Sequence, residues 1–117
     1  MEGKTAFASK FMPMEVKRVI LKIRILGRVK AGKIYSYALI KEFEKSGFSE
    51  FFGPTLKNDT YNALKVLEKS NYIKMQAKIE GGKVKNYYTI TKSGSETLKS
   101  VGKMMIGTMK EADKLFK

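Results

Sequence analysis

From Pro13 onward, Val16, Val19, Ile20, Ile23 and Leu26 recur at steps of three and four, with Lys17, Arg18, Lys22, Arg24 and Arg28 between them. This spacing predicts an amphipathic helix of about four turns. Pro13 suits its start, where a missing N–H costs nothing, and Gly27–Gly32 suits its end. Ala38, Leu39 and Phe43 mark the buried side of a second helix from Tyr35 to Ser46. Gly47 is expected as its left-handed stop and Phe48 as the apolar residue that follows. Phe48, Phe51 and Phe52 then crowd a loop closed by Gly53-Pro54 and read as core plugs rather than a binding platform. A third helix, capped by Asn58 or Asp59, buries Ala63, Leu64 and Leu67. Its opposite stripe carries Asn58, Tyr61, Asn62, Lys65 and Lys69, groups able to donate to phosphates and base edges.

Asn71 is placed as a left-handed terminator, and after it the period changes from 3.6 to 2. Ile73, Met75, Ala77 and Ile79 alternate with Lys74, Gln76 and Lys78. Glu80-Gly81-Gly82-Lys83 is a hairpin turn signal, and Val84, Tyr88 and Ile90 lie on one face of the return strand. Lys78, Lys83 and Lys85 cluster at the hairpin tip. Thr91 or Ser93 opens a last helix, and Glu96 suits its first turn. Leu98, Val101, Met105, Met109, Ala112 and Phe116 recur along it at steps of three and four, widened by Met104, Ile106 and Leu115. Gly102 and Gly107 each lower helix propensity by roughly 1 kcal/mol relative to Ala and leave room for a neighbouring helix. So long a stripe at the end of a small domain exceeds what that domain can cover. It is expected to pack on the first helix and on a second copy of the chain.

Helix, helix, helix, hairpin, helix is the order of a winged helix-turn-helix: an α+β, mainly helical fold of three helices and a two-stranded β-hairpin wing, here with a C-terminal dimerisation helix. The expected division is a loosely structured extension over 1–12 (with Phe7, Phe11 and Met12 available to pack on the body), a winged-helix domain over 13–92, and the dimerisation helix over 93–117.

Composition narrows the chemistry. The 117 residues include 24 Lys+Arg, 11 Asp+Glu, no Cys and no His. Thiolate nucleophiles, disulfides, zinc-finger sites, Ser-His-Asp triads and imidazole metal sites are therefore excluded. Glu42, Glu44 and Glu50 are the densest acids, but they read as solvated charges, not a paired acid/base set. No enzyme activity, metal or cofactor is expected. No apolar run approaches the roughly 20 residues that span a bilayer, and residues 1–12 lack the apolar core of a signal peptide. No membrane partner is expected, and the cytoplasm is the expected setting. The formal charge is +13 and the pI about 9.9. Residues 1–33 carry nine basic and two acidic side chains, and residues 73–90 four basic and one acidic. Such an uneven excess suggests an anionic partner, nucleic acid first.

Three segments resemble the PadR-like family of transcriptional regulators. Lys33-Ile34-Tyr35-Ser36-Tyr37-Ala38-Leu39-Ile40 resembles its HGYEL-type second helix, with Tyr35-Ser36 in place of His-Gly. Thr60 to Glu68 resembles its T-[VIL]-Y-x-x-L-x-x-L-E recognition helix. Lys85-Asn86-Tyr87-Tyr88-Thr89-Ile90-Thr91-Lys92-Ser93-Gly94 resembles its R-K-Y-Y-x-L-T-x-x-G wing exit. The resemblance covers about residues 16–117 and implies a short form with a single C-terminal helix. It further implies a homodimeric repressor whose partner is double-stranded DNA, read at two half-sites about one helical turn apart. The expected DNA-binding residues are Tyr37, Lys57, Asn58, Thr60, Tyr61, Asn62, Lys65, Lys83 and Lys85. The expected dimerisation residues are Leu98, Val101, Met105, Met109, Ala112 and Phe116. Many relatives answer to a small hydrophobic effector. Met104, Met105, Met109 and Phe116 are candidates to line such a site, although a plain dimer core is the preferred reading of them. The alternative function is a non-regulatory basic winged-helix module: an architectural DNA-binding, RNA-binding or transcription-machinery subunit.

Overall fold

The structure is a computed structural model that describes residues 11–115. Its elements run α1 (Met14–Ala31), β1 (Ile34–Tyr35), α2 (Ser36–Lys45), α3 (Phe48–Phe52), a 3₁₀ turn (Gly53–Thr55), α4 (Leu56–Lys69), β2 (Ile73–Glu80), β3 (Lys83–Ile90) and α5 (Lys92–Leu115). The strands form one antiparallel sheet in the order β1-β3-β2. This is a winged helix, mainly helical as expected, with one more strand than the hairpin alone.

The core joins Leu21, Ile25 and Val29 of α1 to Leu39 and Phe43 of α2, Leu64 and Leu67 of α4, and Ile34, Ile73 and Tyr88 of the sheet. The buried side of α1 is Leu21, Ile25, Leu26 and Val29, so of the expected stripe only Leu26 is buried. Val16 and Val19 are 42% and 53% exposed. Helix α1 carries apolar residues on two sides, and helical spacing alone does not say which side α4 and the sheet will cover.

Helix α2 ends without a left-handed glycine. Gly47 is right-handed, with φ −66° and ψ −2°. Ser46 does the capping: its hydroxyl donates to the Phe43 carbonyl at 2.7 Å and accepts the Phe48 N–H at 3.3 Å. The expected aromatic loop is the short helix α3. Phe52 is buried, and Phe48 and Phe51 pack half-buried against the core. Edge-to-face stacking of Phe43 with Phe48 at 5.4 Å ties α3 to α2, and Phe51 and Phe52 stack in the same way within α3.

Helix α4 begins earlier than expected. The 3₁₀ turn leads straight into Leu56, which leaves Asn58 and Asp59 inside the first turn rather than before it. The Thr55 hydroxyl donates to Asp59 Oδ2 at 2.8 Å. Asn71 terminates the helix as expected, at φ 64°. The Asn71 and Tyr72 N–H groups bond back to the carbonyls of Glu68 and Leu67.

The hairpin pairs without slippage from Ile73↔Ile90 to Glu80↔Lys83. Gly81 and Gly82 both have positive φ, 59° and 76°, as a two-residue type I′ turn requires. Only the hairpin base is buried: Ile73 is 1% exposed, whereas Ile79 and Val84 near the tip are 79% and 68% exposed. Strand β1 was not expected, because two residues carry no period. It pairs Ile34 with Tyr88 and Tyr35 with Tyr87, and so fastens the start of α2 to the wing.

Thr91 caps α5 by accepting the Gly94 N–H at 2.9 Å. Glu96 lies beyond the first turn, which has no acid. Leu98 packs against the core and Val101 is half-buried. Further on, Met104, Ile106 and Met109 are at least half exposed and Met105 is 39% exposed. A single protomer therefore leaves most of this stripe uncovered. Phe116 and Phe7 lie outside the described residues, and Phe11 is exposed. Among the described residues no helix is long and apolar enough to cross a membrane, and no group of His, Cys, Asp or Glu side chains is arranged to hold a metal ion.

Candidate nucleic-acid interface

Burial of Leu56, Thr60, Ala63, Leu64 and Leu67 fixes the rotation of α4 about its axis. Asn58, Tyr61, Asn62 and Lys65 then face solvent, as their spacing predicts, and Lys57 is exposed at the start of the helix. Thr60 is a correction to the expected DNA-binding set. It is fully buried, and its hydroxyl donates to the Leu56 carbonyl at 2.7 Å, so it reaches no ligand. The signal was in the motif spacing. Counting back from Tyr61, Leu64 and Leu67, Thr60 takes the position that the recognition-helix pattern fills with Val, Ile or Leu.

The start of α2 approaches the same surface. Tyr37 is 58% exposed, and Lys41 Nζ lies 5.3 Å from its ring centroid. The Glu44 charge, helped by Tyr37, holds the Lys41 ammonium above the usual lysine range. Tyr35, Ser36 and Tyr37 from α2 and its approach, Tyr61 from α4, and Lys83 and Lys85 from β3 line one open cleft of about 680 Å³. Four of the expected DNA-binding residues thus converge there: Tyr37, Tyr61, Lys83 and Lys85. Lys57, Asn58, Asn62 and Lys65 do not line the cleft; they lie along the outer side of α4.

Beside the cleft, the polar face of the sheet is denser in chemistry than the sequence suggested. The register puts Lys78 opposite Lys85, Gln76 opposite Tyr87 and Tyr35 opposite Tyr87. The rings of Tyr35 and Tyr87 are 5.4 Å apart. Lys85 Nζ lies 4.7 Å from the Tyr35 centroid, and Lys33 and Lys78 lie 5.3 and 5.6 Å from the Tyr87 centroid. Glu80 accepts the Tyr87 hydroxyl at 2.6 Å and lies 3.9 Å from Lys85 Nζ. Hydrogen bonding to Glu80 raises the Tyr87 phenol above its ordinary range. Contact with the Lys78 side chain, and then its charge, pushes the Lys33 ammonium below the usual lysine range. Sequence reasoning missed Lys33, Tyr35 and Tyr87, which only the unannounced pairing of β1 with β3 brings together.

A helix seated by its buried side, with a polar, cation-bearing outer face and a flanking hairpin with a basic face, is the architecture of a winged helix-turn-helix. The profile of the transcriptional regulator PadR-like family matches residues 25–100, and the chain belongs to that family of regulators, not to an enzyme family. A comparison with curated proteins finds no match. Among solved structures, a PadR-family transcriptional regulator from Eggerthella lenta is 24% identical, with 89% of this chain and 88% of that chain covered and a TM-score of 0.73. A PadR-like regulator from Bacillus cereus is 23% identical, covers 88% and 97%, and has a TM-score of 0.74. Bacillus subtilis PadR, solved in complex with operator DNA, is 29% identical over 69% of this chain and 45% of that chain, with a TM-score of 0.58.

Proposed function

We propose that the protein is a homodimeric repressor that reads double-stranded DNA with α4 in the major groove and the wing on the neighbouring backbone. The observation that carries this reading is the convergence of Tyr37, Tyr61, Lys83 and Lys85 on one cleft beside the exposed face of α4. Asn58 and Asn62 present amides to base edges, Asn62 being suited to adenine, and Lys65 reaches guanine or phosphate. Tyr37, Lys57, Lys83 and Lys85 hold phosphates, which set register without reading sequence. Thr60 acts only by seating α4. Kinship with Bacillus subtilis PadR, a protein solved on operator DNA, supports the same class of partner.

Residues 13–92 form the DNA-binding unit in this reading, and residues 93–117 the dimerisation helix, acting through Leu98, Val101, Met105, Met109 and Ala112. Support comes from the apolar stripe that a protomer leaves uncovered. A second copy covers it and sets two recognition helices about one helical turn apart. Met104, Met105, Thr108 and Met109 border a small cleft of about 210 Å³, a candidate seat for a small hydrophobic effector. Action in the cytoplasm fits this role.

Competition between duplex DNA and duplex RNA of equal length tests the partner. A-form RNA hides its major-groove edges from a helix, so DNA should displace RNA and not the reverse. Equal competition would move the architectural or RNA-binding module ahead.

A further inference from the structure

We infer that Lys33 and Lys78, side by side against the Tyr87 ring, form a phosphate-binding site on the polar face of the sheet, and that Glu80 is the internal anion which backbone phosphate displaces on DNA binding. The inference rests on the proposed DNA-binding function. It assigns residues outside the cleft and gives the site an internal competitor.

Three ammonium groups gather here on two tyrosine rings: Lys33 and Lys78 on Tyr87, and Lys85 on Tyr35. Glu80 is the carboxylate bonded into this cluster, through the Tyr87 hydroxyl and Lys85. Lysines that serve only solubility gain by standing apart, since like charges in contact repel. The fold instead brings Lys33, next to β1, against Lys78 of β2 through β3, whose Tyr87 pairs with both Tyr35 and Gln76. Contact with the Lys78 side chain, and then repulsion from its charge, lowers the proton affinity of Lys33. An anion placed between the two ammonium groups would relieve it. The rings offer the lysine stems an apolar bed, which pre-positions the charges. The anion expected at this place is a phosphodiester, because Tyr35, Glu80 and Lys85 also border the cleft beside α4. Glu80 lies close enough to Lys85 to neutralise part of the cluster in the free protein and would oppose an incoming phosphate.

The test is a salt series of binding isotherms on the full chain with random duplex DNA. Lys33→Ala and Lys78→Ala should each lower the slope of log affinity against log salt by about one, and the double variant by about two. Lys103→Ala, on the far helix α5, should leave it unchanged. Glu80→Gln keeps an acceptor for the Tyr87 hydroxyl but removes the charge, and should tighten binding up to about fivefold, the scale of one exposed charge contact. Lys33, Glu80 and Lys103 are exposed and Lys78 is half-buried, so each variant should fold, which thermal melts check. Unchanged slopes for Lys33→Ala and Lys78→Ala, with a lowered slope for Lys83→Ala, would overturn the site and leave the DNA-binding function standing. Unchanged or weaker binding by Glu80→Gln would remove the competitor. Failure of the unsubstituted protein to bind duplex DNA would defeat both.

Discussion

The carbonyl oxygen of Tyr72 occupies the space that any side chain at Gly94 would need. This close approach fastens the first turn of α5 to the start of the wing. The Thr91 hydroxyl completes the joint: it accepts the Gly94 N–H and lies 2.7 and 3.1 Å from the Asn71 and Tyr72 carbonyls. Recognition helix, wing and C-terminal helix therefore meet at one point. Gly94→Ala must push backbone against backbone and should cost about 1–3 kcal/mol, read as a lower melting temperature by circular dichroism. Gly27→Ala, where nothing lies within 4 Å, should instead stabilise by about 0.5–1 kcal/mol. Equal melting temperatures for the two variants would contradict the joint.

Thr60 and Asn62 stand two residues apart on α4 and should behave oppositely. Thr60→Ala removes a buried methyl group and a hydrogen bond, and should destabilise by about 1–2 kcal/mol while the ratio of specific to random binding stays constant. Asn62→Ala should leave the melt nearly unchanged and lower discrimination about tenfold, within the range of one base contact. Equal losses on specific and random DNA would refute base reading by Asn62.

The contrast between these residues also marks what the sequence made legible. Strict alternation in Ile73-Lys74-Met75-Gln76-Ala77-Lys78-Ile79, closed by Gly81-Gly82, determined the hairpin register. Asn71 was readable because few other side chains tolerate its backbone angles. The burial of Thr60 was legible only from its motif position, since its chemistry argued for an exposed contact. The rotation of α1 was not readable, because Val16 and Val19 are as apolar as Leu21 and Ile25. At the end of α2, Gly47 was the more obvious stop, yet a serine hydroxyl supplied the bonds. The tyrosine–lysine platform was out of reach, because a two-residue strand assembles it from segments some fifty residues apart.

Lys83 borders the cleft at the wing tip. Lys83→Ala should weaken binding to all DNA sequences alike and reduce the salt slope by about one. Isotherms at several salt concentrations check this, and an unchanged slope would take the wing tip off the DNA.

Met105 and Met109 are exposed in the protomer. Replacing both with Lys should therefore spare the winged-helix fold while placing charge in the proposed dimer interface. Sedimentation should show a dimer becoming a monomer, with affinity for a two-half-site duplex falling at least tenfold as the linked second contact is lost. A double variant that stays dimeric would assign dimerisation to another surface.

The most direct measurement is fluorescence anisotropy at near-physiological salt with three labelled probes: the DNA upstream of the protein's own coding region, random duplex DNA, and duplex RNA of equal length. Binding to the upstream DNA at least a thousandfold tighter than to the random duplex is expected for a sequence-reading regulator at its own site. Equal and steeply salt-dependent binding to all three would contradict sequence reading by α4 and leave only a basic surface.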